Sequence, residues 1–217
     1  MTPNKEDYLK ALFQLSVEDE LVSNKQIADA LQIAPASVTE MLVKLKKDDL
    51  IFYEPYKGSR LTPRGMEFAT RLVRGHRLWE VFLSRHLGYS WREAHEDAEL
   101  LEHLTPPRLS ARLDAYLNHP THCPHGSAIP GLDGSIQRTP LQSLDLMPPG
   151  STSYIRRVKE DESLMDSLQE MGIAIGSPVE MVEAAADKSA FKLNLGGKLT
   201  RISRQAASLI FVEQFRD

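Results

Sequence analysis

The sequence predicts a mainly α-helical chain with a winged helix-turn-helix at its amino end, a helical middle and a small β-barrel at its carboxyl end. Three observations predict it. Apolar residues recur at helical spacing, with short breaks, from residue 4 to residue 117; two β-prone runs flank a Lys-Gly-Ser turn at 50–62; and beyond a Pro- and Gly-rich stretch at 118–140 the pattern shifts to short strands. With 217 residues, 41% of them hydrophobic and 26% charged, the composition is that of a folded globular chain, neither disordered nor disulfide-dense.

The first helix is expected over about 4–18, with Tyr8, Leu9, Leu12, Phe13 and Leu15 on its inner side. Ser23 is a natural cap for a second helix carrying Ile27, Ala28 and Leu31, and Gln32–Pro35 break the pattern. A third, from about Pro35 to Asp48, turns Val38, Met41, Leu42 and Leu45 inward and Ser37, Thr39, Glu40, Lys44 and Lys47 outward. Leu50–Thr62 follows as the wing. Thr62-Pro63 then caps a long helix to about Leu87, with Met66, Ala69, Leu72, Val73, Trp79, Phe82 and Leu83 as buried candidates. After Gly88-Tyr89-Ser90, helices fit Trp91–Leu104 and Pro106–Leu117, whose Leu101, Leu109, Leu113 and Leu117 serve a second subunit or the monomer core. Strands are expected at Leu144–Met147, Ser153–Val158, Val179–Ala184, Lys192–Leu195 and Leu209–Val212, with one helix near Leu164–Met171. This divides the chain into 1–74, 75–140 and 141–217.

The formal charge of −4 conceals a local pattern. Residues 41–78 hold nine Lys or Arg against four Asp or Glu, whereas 1–40 hold three against seven and 79–119 four against seven. The one basic segment coincides with the wing, as expected of a module that meets phosphate. Ser37, Thr39 and Lys44 on the third helix are placed to reach base edges and phosphates, and Lys57 and Arg60 on the wing to grip the backbone. No apolar run reaches the roughly 18–20 residues of a membrane span, no signal peptide is evident, and the single cysteine, Cys123, has no internal disulfide partner. The cytoplasm is the expected location.

The densest chemistry is His95-Glu96-Asp97-Ala98-Glu99-Leu100-Leu101-Glu102-His103. On one continuous helix His95, Glu99, Glu102 and His103 share a face, and His76 and Glu80, at i and i+4 on the preceding helix, can meet it. Acids packed this closely repel one another, and a divalent cation removes that repulsion, so metal binding is preferred over a solvated acidic face. Catalytic motifs fail: His95-Glu96-x-x-Glu99 lacks the second histidine of a zinc protease, and phosphate loop, dinucleotide fingerprint and nucleophile elbow are all missing. A metal-dependent hydrolase using the Glu/His cluster is the rival reading, without a general base to support it.

Four segments together resemble the diphtheria-toxin-repressor family of metal-dependent transcriptional repressors, and within it the manganese-responsive, three-part type of streptococci. They are Glu6-Asp7-Tyr8-Leu9, Pro35-Ala36-Ser37-Val38-Thr39, the array of His76, Glu80, His95, Glu99, Glu102 and His103, and Cys123-Pro124-His125-Gly126-Ser127-Ala128-Ile129-Pro130. The resemblance implies a primary metal site of Asp7, Glu99, Glu102 and His103. It implies a second site around Glu80, with Cys123, His125 and Glu160 in one version of the family and His76 and His95 in another; the grouping stays open. It further implies a homodimer on a palindromic double-stranded operator of metal-uptake genes, with no enzyme activity, small-molecule substrate or membrane partner, and an SH3-like carboxy-terminal domain. Three carboxylates and an imidazole form a hard donor set that suits Mn²⁺, with Fe²⁺ as the alternative activator and Zn²⁺ or Cd²⁺ able to occupy the sites in vitro.

Overall fold

A computed structural model describes residues 1–16, 20–137, 139–187 and 189–213. They form two units. One is Met1–His76, Glu99–Arg112 and Pro130–Ile136; the other is Arg77–Ala98, Leu113–Ile129 and the residues from Gln137 onward.

In the first unit, helix α1 (Pro3–Leu15) opens on proline, where a missing N–H is harmless, and closes at extended Ser16, whose hydroxyl donates to Leu12 O. The expected extension over residues 17–18 lies outside the described residues. Helix α2 (Asn24–Leu31) has a full capping box between Ser23 and Gln26 and ends at Gln32 in the left-handed conformation. Helix α3 (Pro35–Lys47) follows. Leu9, Leu12, Ile27, Val38, Leu42 and Leu45 are almost completely buried between these helices, as their spacing predicts, while Met41 is only partly buried.

Strands β1 (Ile51–Glu54) and β2 (Gly58–Leu61) make the antiparallel wing, with Ile51 opposite Leu61. The turn falls on Pro55–Lys57, earlier than the expected Lys-Gly-Ser, and Gly58 is already in the strand. Its glycine serves proximity: a Cβ there would stand 2.6 Å from Val22 O, where Val22 bridges to Ser59 as an extra edge of the wing.

Helix α4 (Pro63–Leu87) has the expected span, but Met66 is 40% exposed and lines a cavity of about 630 Å³ instead of the core. The helix expected over Trp91–Leu104 stops sooner: α5 is Trp91–Leu101, and Glu102–Leu104 form a 3-10 turn before α6 (Pro107–Tyr116). Leu113 and Leu117 join Leu78, Val81, Cys123 and Ile129 in a core of the second unit, which settles them as monomer residues. Leu100, Leu104 and Leu109 are the exposed ones.

The rest of the second unit is one antiparallel sheet of β3 (Gln142–Ser143), β4 (Thr152–Val158), β5 (Pro178–Ala184), β6 (Ala190–Leu195), β7 (Lys198–Ser203) and β8 (Ile210–Val212), in the order β3-β8-β4-β5-β6-β7. Helices α7 (Glu162–Glu170) and α8 (Arg204–Ala207) complete it. The expected strand over Leu144–Met147 is a 3-10 turn at Leu144–Leu146, and β7 and α8 were not foreseen. Among the described residues the edge strands β3 and β7 do not pair, so the expected barrel is an open sheet here. The two-residue β3 is too short to close it, and Arg204 of α8 instead reaches Asp145 of the 3-10 turn at 3.4 Å.

Candidate metal centre

Two clusters of metal-ligating side chains stand out among the described residues. The first lies in the first unit. Helix α1 presents Glu6 and Asp7 with Lys10 about one turn later, and the end of α5 with its 3-10 turn presents Glu99, Glu102 and His103. Asp7 Oδ1 is 3.1 Å from His103 Nε2, and Asp7, Glu102 and His103 each offer a donor atom within 4.8 Å of the others. The other imidazole nitrogen, Nδ1, donates to Glu6 Oε2 at 2.6 Å, which fixes the ring with Nε2 turned toward Asp7. Glu102 is buried and accepts from Lys10 Nζ at 2.7 and 3.0 Å, while Glu99 accepts from the same ammonium at 2.7 Å. His76, also buried, places Nδ1 2.6 Å from Glu102 Oε2.

The electrostatics fit a cation. Burial raises the Asp7 carboxyl above the ordinary aspartate range; His103 pulls it back, and Glu102 and Glu99 push it up again. Burial pulls the Lys10 ammonium down, but Glu102 and Glu99 outweigh it, so Lys10 stays charged above the usual lysine range. Carboxylate oxygens and imidazole nitrogens converging on one place are the donor types a hard divalent ion takes.

The second cluster lies in the second unit around Glu80, a fully buried carboxylate in the middle of α4. His125 Nδ1 and His95 Nδ1 stand 3.1 and 3.2 Å from Glu80 Oε1, and Cys123 Sγ stands 3.8 Å from His125 Nδ1. Glu80, Cys123 and His125 lie within 4.8 Å of one another, as do donor atoms of Glu80, His95 and Glu160. Burial drives the Cys123 thiol well above its ordinary value, with Glu80 adding to the effect. Burial lowers His125 but Glu80 outweighs it and raises the imidazole. The buried Nε2 of His125 has no hydrogen-bond partner among the described residues. The Pro-flanked segment is thus ordered: Val158 N donates to His125 O at 2.9 Å, and Trp91 stands edge-on to the His125 ring at 5.5 Å.

The face-sharing expectation needs correction. His95 meets Glu80, while Glu99, Glu102 and His103, about one to two turns further along the chain, gather at α1, because each residue advances about 1.5 Å along the axis even where the side chains share a face. Sequence reasoning did not include Glu6 or Lys10 among the site residues. Their position beside Asp7, one at −1 and one at +3 on the same helix, was the available signal.

The expected DNA-contacting residues are all on the surface of the first unit. Ser37, Thr39 and Lys44 are exposed on α3; Thr39 Oγ1 accepts from Asn24 Nδ2 at 3.0 Å, and Lys44 pairs with Glu40 at 2.7 Å. On the wing, Lys57 pairs with Glu54 at 2.8 Å, and the Arg60 guanidinium lies 4.4 Å from the centre of the Phe52 ring. No helix of the described residues is long and apolar enough to cross a membrane.

Comparison with known proteins agrees with this arrangement. Residues 1–59 match the iron-dependent repressor N-terminal DNA-binding domain, 62–131 the iron-dependent repressor metal-binding and dimerisation domain, and 142–214 the FeoA domain. The HTH-type transcriptional regulator MntR of Bacillus pumilus (strain SAFR-032) is 41% identical over 102 residues, covering 47% of this chain and 70% of that protein. A manganese-dependent transcriptional repressor in complex with manganese superposes with a TM-score of 0.85 at 31% identity, covering 96% of this chain and 98% of the other. The manganese regulator SloR superposes with a TM-score of 0.81 at 37% identity, covering 98% and 99%. These likenesses favour a repressor over the rival hydrolase. The chain belongs to the diphtheria-toxin-repressor family of iron-dependent repressors, and it is a metal-dependent DNA-binding transcriptional repressor with a dimerisation domain, not an enzyme.

Proposed function

We propose that the chain is a Mn²⁺-activated repressor of metal-uptake genes that binds a palindromic operator as a homodimer in the cytoplasm. The observation that carries this reading is the meeting of Asp7 on the first helix with Glu102 and His103 after α5. Asp7, Glu99, Glu102 and His103 hold the activating ion, which supplies one positive charge centre for groups from both ends of the module. Glu6 orients His103, and Lys10 balances Glu99 and Glu102. Glu80, Cys123 and His125, with His95 and Glu160 beside them, form an ancillary centre. Carboxylates where softer ligands would favour iron support Mn²⁺ over Fe²⁺, and Zn²⁺ or Cd²⁺ fit the same donors. Ser37, Thr39 and Lys44 read the duplex while Lys57 and Arg60 hold its backbone; two copies are needed because one recognition helix spans about half a site. The three parts remain 1–74, 75–140 and 141–217, the last an SH3-like fold with its barrel left open.

The experiment is a titration of a fluorescent duplex, taken from upstream of the chain's own gene, with and without Mn²⁺. Specific binding that tightens with Mn²⁺ is expected. Tight, sequence-specific binding in excess chelator, unchanged by Mn²⁺, overturns the reading.

A further inference from the structure

The Lys10 side chain is 7% exposed, and its ammonium is ringed by three carboxylate oxygens and an imidazole nitrogen. Glu99 Oε1 and Glu102 Oε2 are both at 2.7 Å, Glu102 Oε1 at 3.0 Å and His76 Nδ1 at 3.2 Å. His76, Glu99 and Glu102 are themselves a set of donors within 4.8 Å of one another, separate from the set of Asp7, Glu102 and His103 and joined to it by Glu102. The cluster therefore has donors for two cations, one on either side of a single buried carboxylate. One of these positions is filled by a charge tethered to the chain.

We infer that Lys10 is a built-in cation occupying the inner half of the centre, so that the protein takes one divalent ion there and excludes a second from His76, Glu99 and Glu102. The inference rests on the reading that the outer set holds an ion. A protonated lysine has three donors and no lone pair, so it satisfies the acids without itself becoming a ligand. Its hydrogen bonds to Glu99 and Glu102 hold the ammonium in place. A divalent ion added beside it would face a like charge across the same carboxylate.

The test counts Mn²⁺ bound per full-length chain by equilibrium dialysis with elemental analysis, beside electron paramagnetic resonance of the bound Mn²⁺. Lys10→Met is expected to bind one ion more than the parent, with a signal broadened by spin coupling across Glu102. Adding His76→Ala should remove the extra ion, and Lys10→Arg should match the parent. Lys10→Gln, purified in Mn²⁺ throughout, supplies the same count if the apolar variant folds poorly. Lys10→Met and Lys10→Gln proteins that bind the parent's number of ions overturn the inference. The ancillary centre contributes equally to every variant and drops out of the difference. If Asp7→Ala and His103→Ala in the parent leave the count unchanged, the outer site is what fails; if they lower it while the Lys10 variants leave it unchanged, the role of Lys10 alone falls.

Discussion

The Asp7 carboxylate faces His103 Nε2 at 3.1 Å, so the first helix of the DNA-reading module and the turn after α5 meet at a carboxylate oxygen and an imidazole nitrogen, two atom types that can hold a metal ion. A ligand shifts an equilibrium only by its differential affinity for two states, and an ion that needs both groups favours only conformations that keep them together. Asp7→Ala should leave a folded dimer that still binds some Mn²⁺ but no longer gains DNA affinity from it. A coupling of about 1–3 kcal/mol, usual for allosteric links, sets the lost gain at about 5–150-fold. Operator affinity measured against Mn²⁺ concentration decides; activation as strong as the parent's removes Asp7 from the switch.

Glu6 accepts the Nδ1 proton of His103. Removing such a partner from a ligating histidine weakens metal binding by about 10–100-fold. Glu6→Ala should show that loss in Mn²⁺ titrations while the metal-free protein keeps its thermal stability within about 1 kcal/mol. An unchanged Mn²⁺ affinity would show that the ring is held by other contacts.

On the nucleic-acid side, Lys57→Ala and Arg60→Ala should weaken binding about equally on all sequences and lower the salt slope by about one unit each. Thr39→Ala should instead lower discrimination between operator and unrelated duplex. Measuring affinity on both duplexes at several salt concentrations separates the two effects, and wing variants with the parent's slope would contradict the docking.

The Cys123 thiol sits well above its ordinary pKa because it is buried, with Glu80 nearby. At neutral pH it therefore carries its proton, and an ion held by the thiolate must release it. Affinity at the Glu80 centre should rise with pH up to that raised value, with close to one proton released from the thiol per ion. Calorimetry in two buffers of different ionisation enthalpy measures the release, which Cys123→Ser should lower by close to one proton, leaving the part that comes from the raised His125 imidazole. Metal should also slow labelling of Cys123 by thiol reagents; equal rates with and without Mn²⁺ remove Cys123 from the centre.

Gly65 lies in the first turn of α4, where alanine would ordinarily favour the helix by up to about 1 kcal/mol. Here a Cβ would stand 1.9 Å from Leu50 O. Gly65→Ala should destabilise the protein by about 1–3 kcal/mol, read by denaturant unfolding. A stabilised variant would mean that the α4–wing junction yields easily.

The helix ends of the DNA-reading module were legible because their signals are local: Ser23 with Gln26, Pro35 as a first helical residue, Thr62 before Pro63. Strand β7 was not, since its half-exposed Lys198–Ser203 lacks a buried apolar alternation. Residue types and spacing marked out His76, Glu80, His95, Glu99, Glu102 and His103 as candidate ligands, and the family resemblance added Asp7, Cys123, His125 and Glu160. Which of them meet was not legible, because it depends on α4 bringing Glu80 against His95 and on α1 bringing Lys10 against Glu102. Neither leaves a mark in the order of the residues themselves.

The Trp91 side chain, at the start of α5, is buried in the same core as Leu164, Leu168 and Ile210, and the Trp91 backbone N–H donates to Gln169 Oε1 at 2.7 Å. Every ligand of the first cluster, by contrast, precedes residue 104. A shorter relative shorn of the β-sheet would retain every donor of the first cluster yet lay a bare indole open to water. Dispensing with the tail thus requires a polar replacement at position 91, and whether an aromatic or a hydrophilic residue stands there should separate long from short members of this lineage.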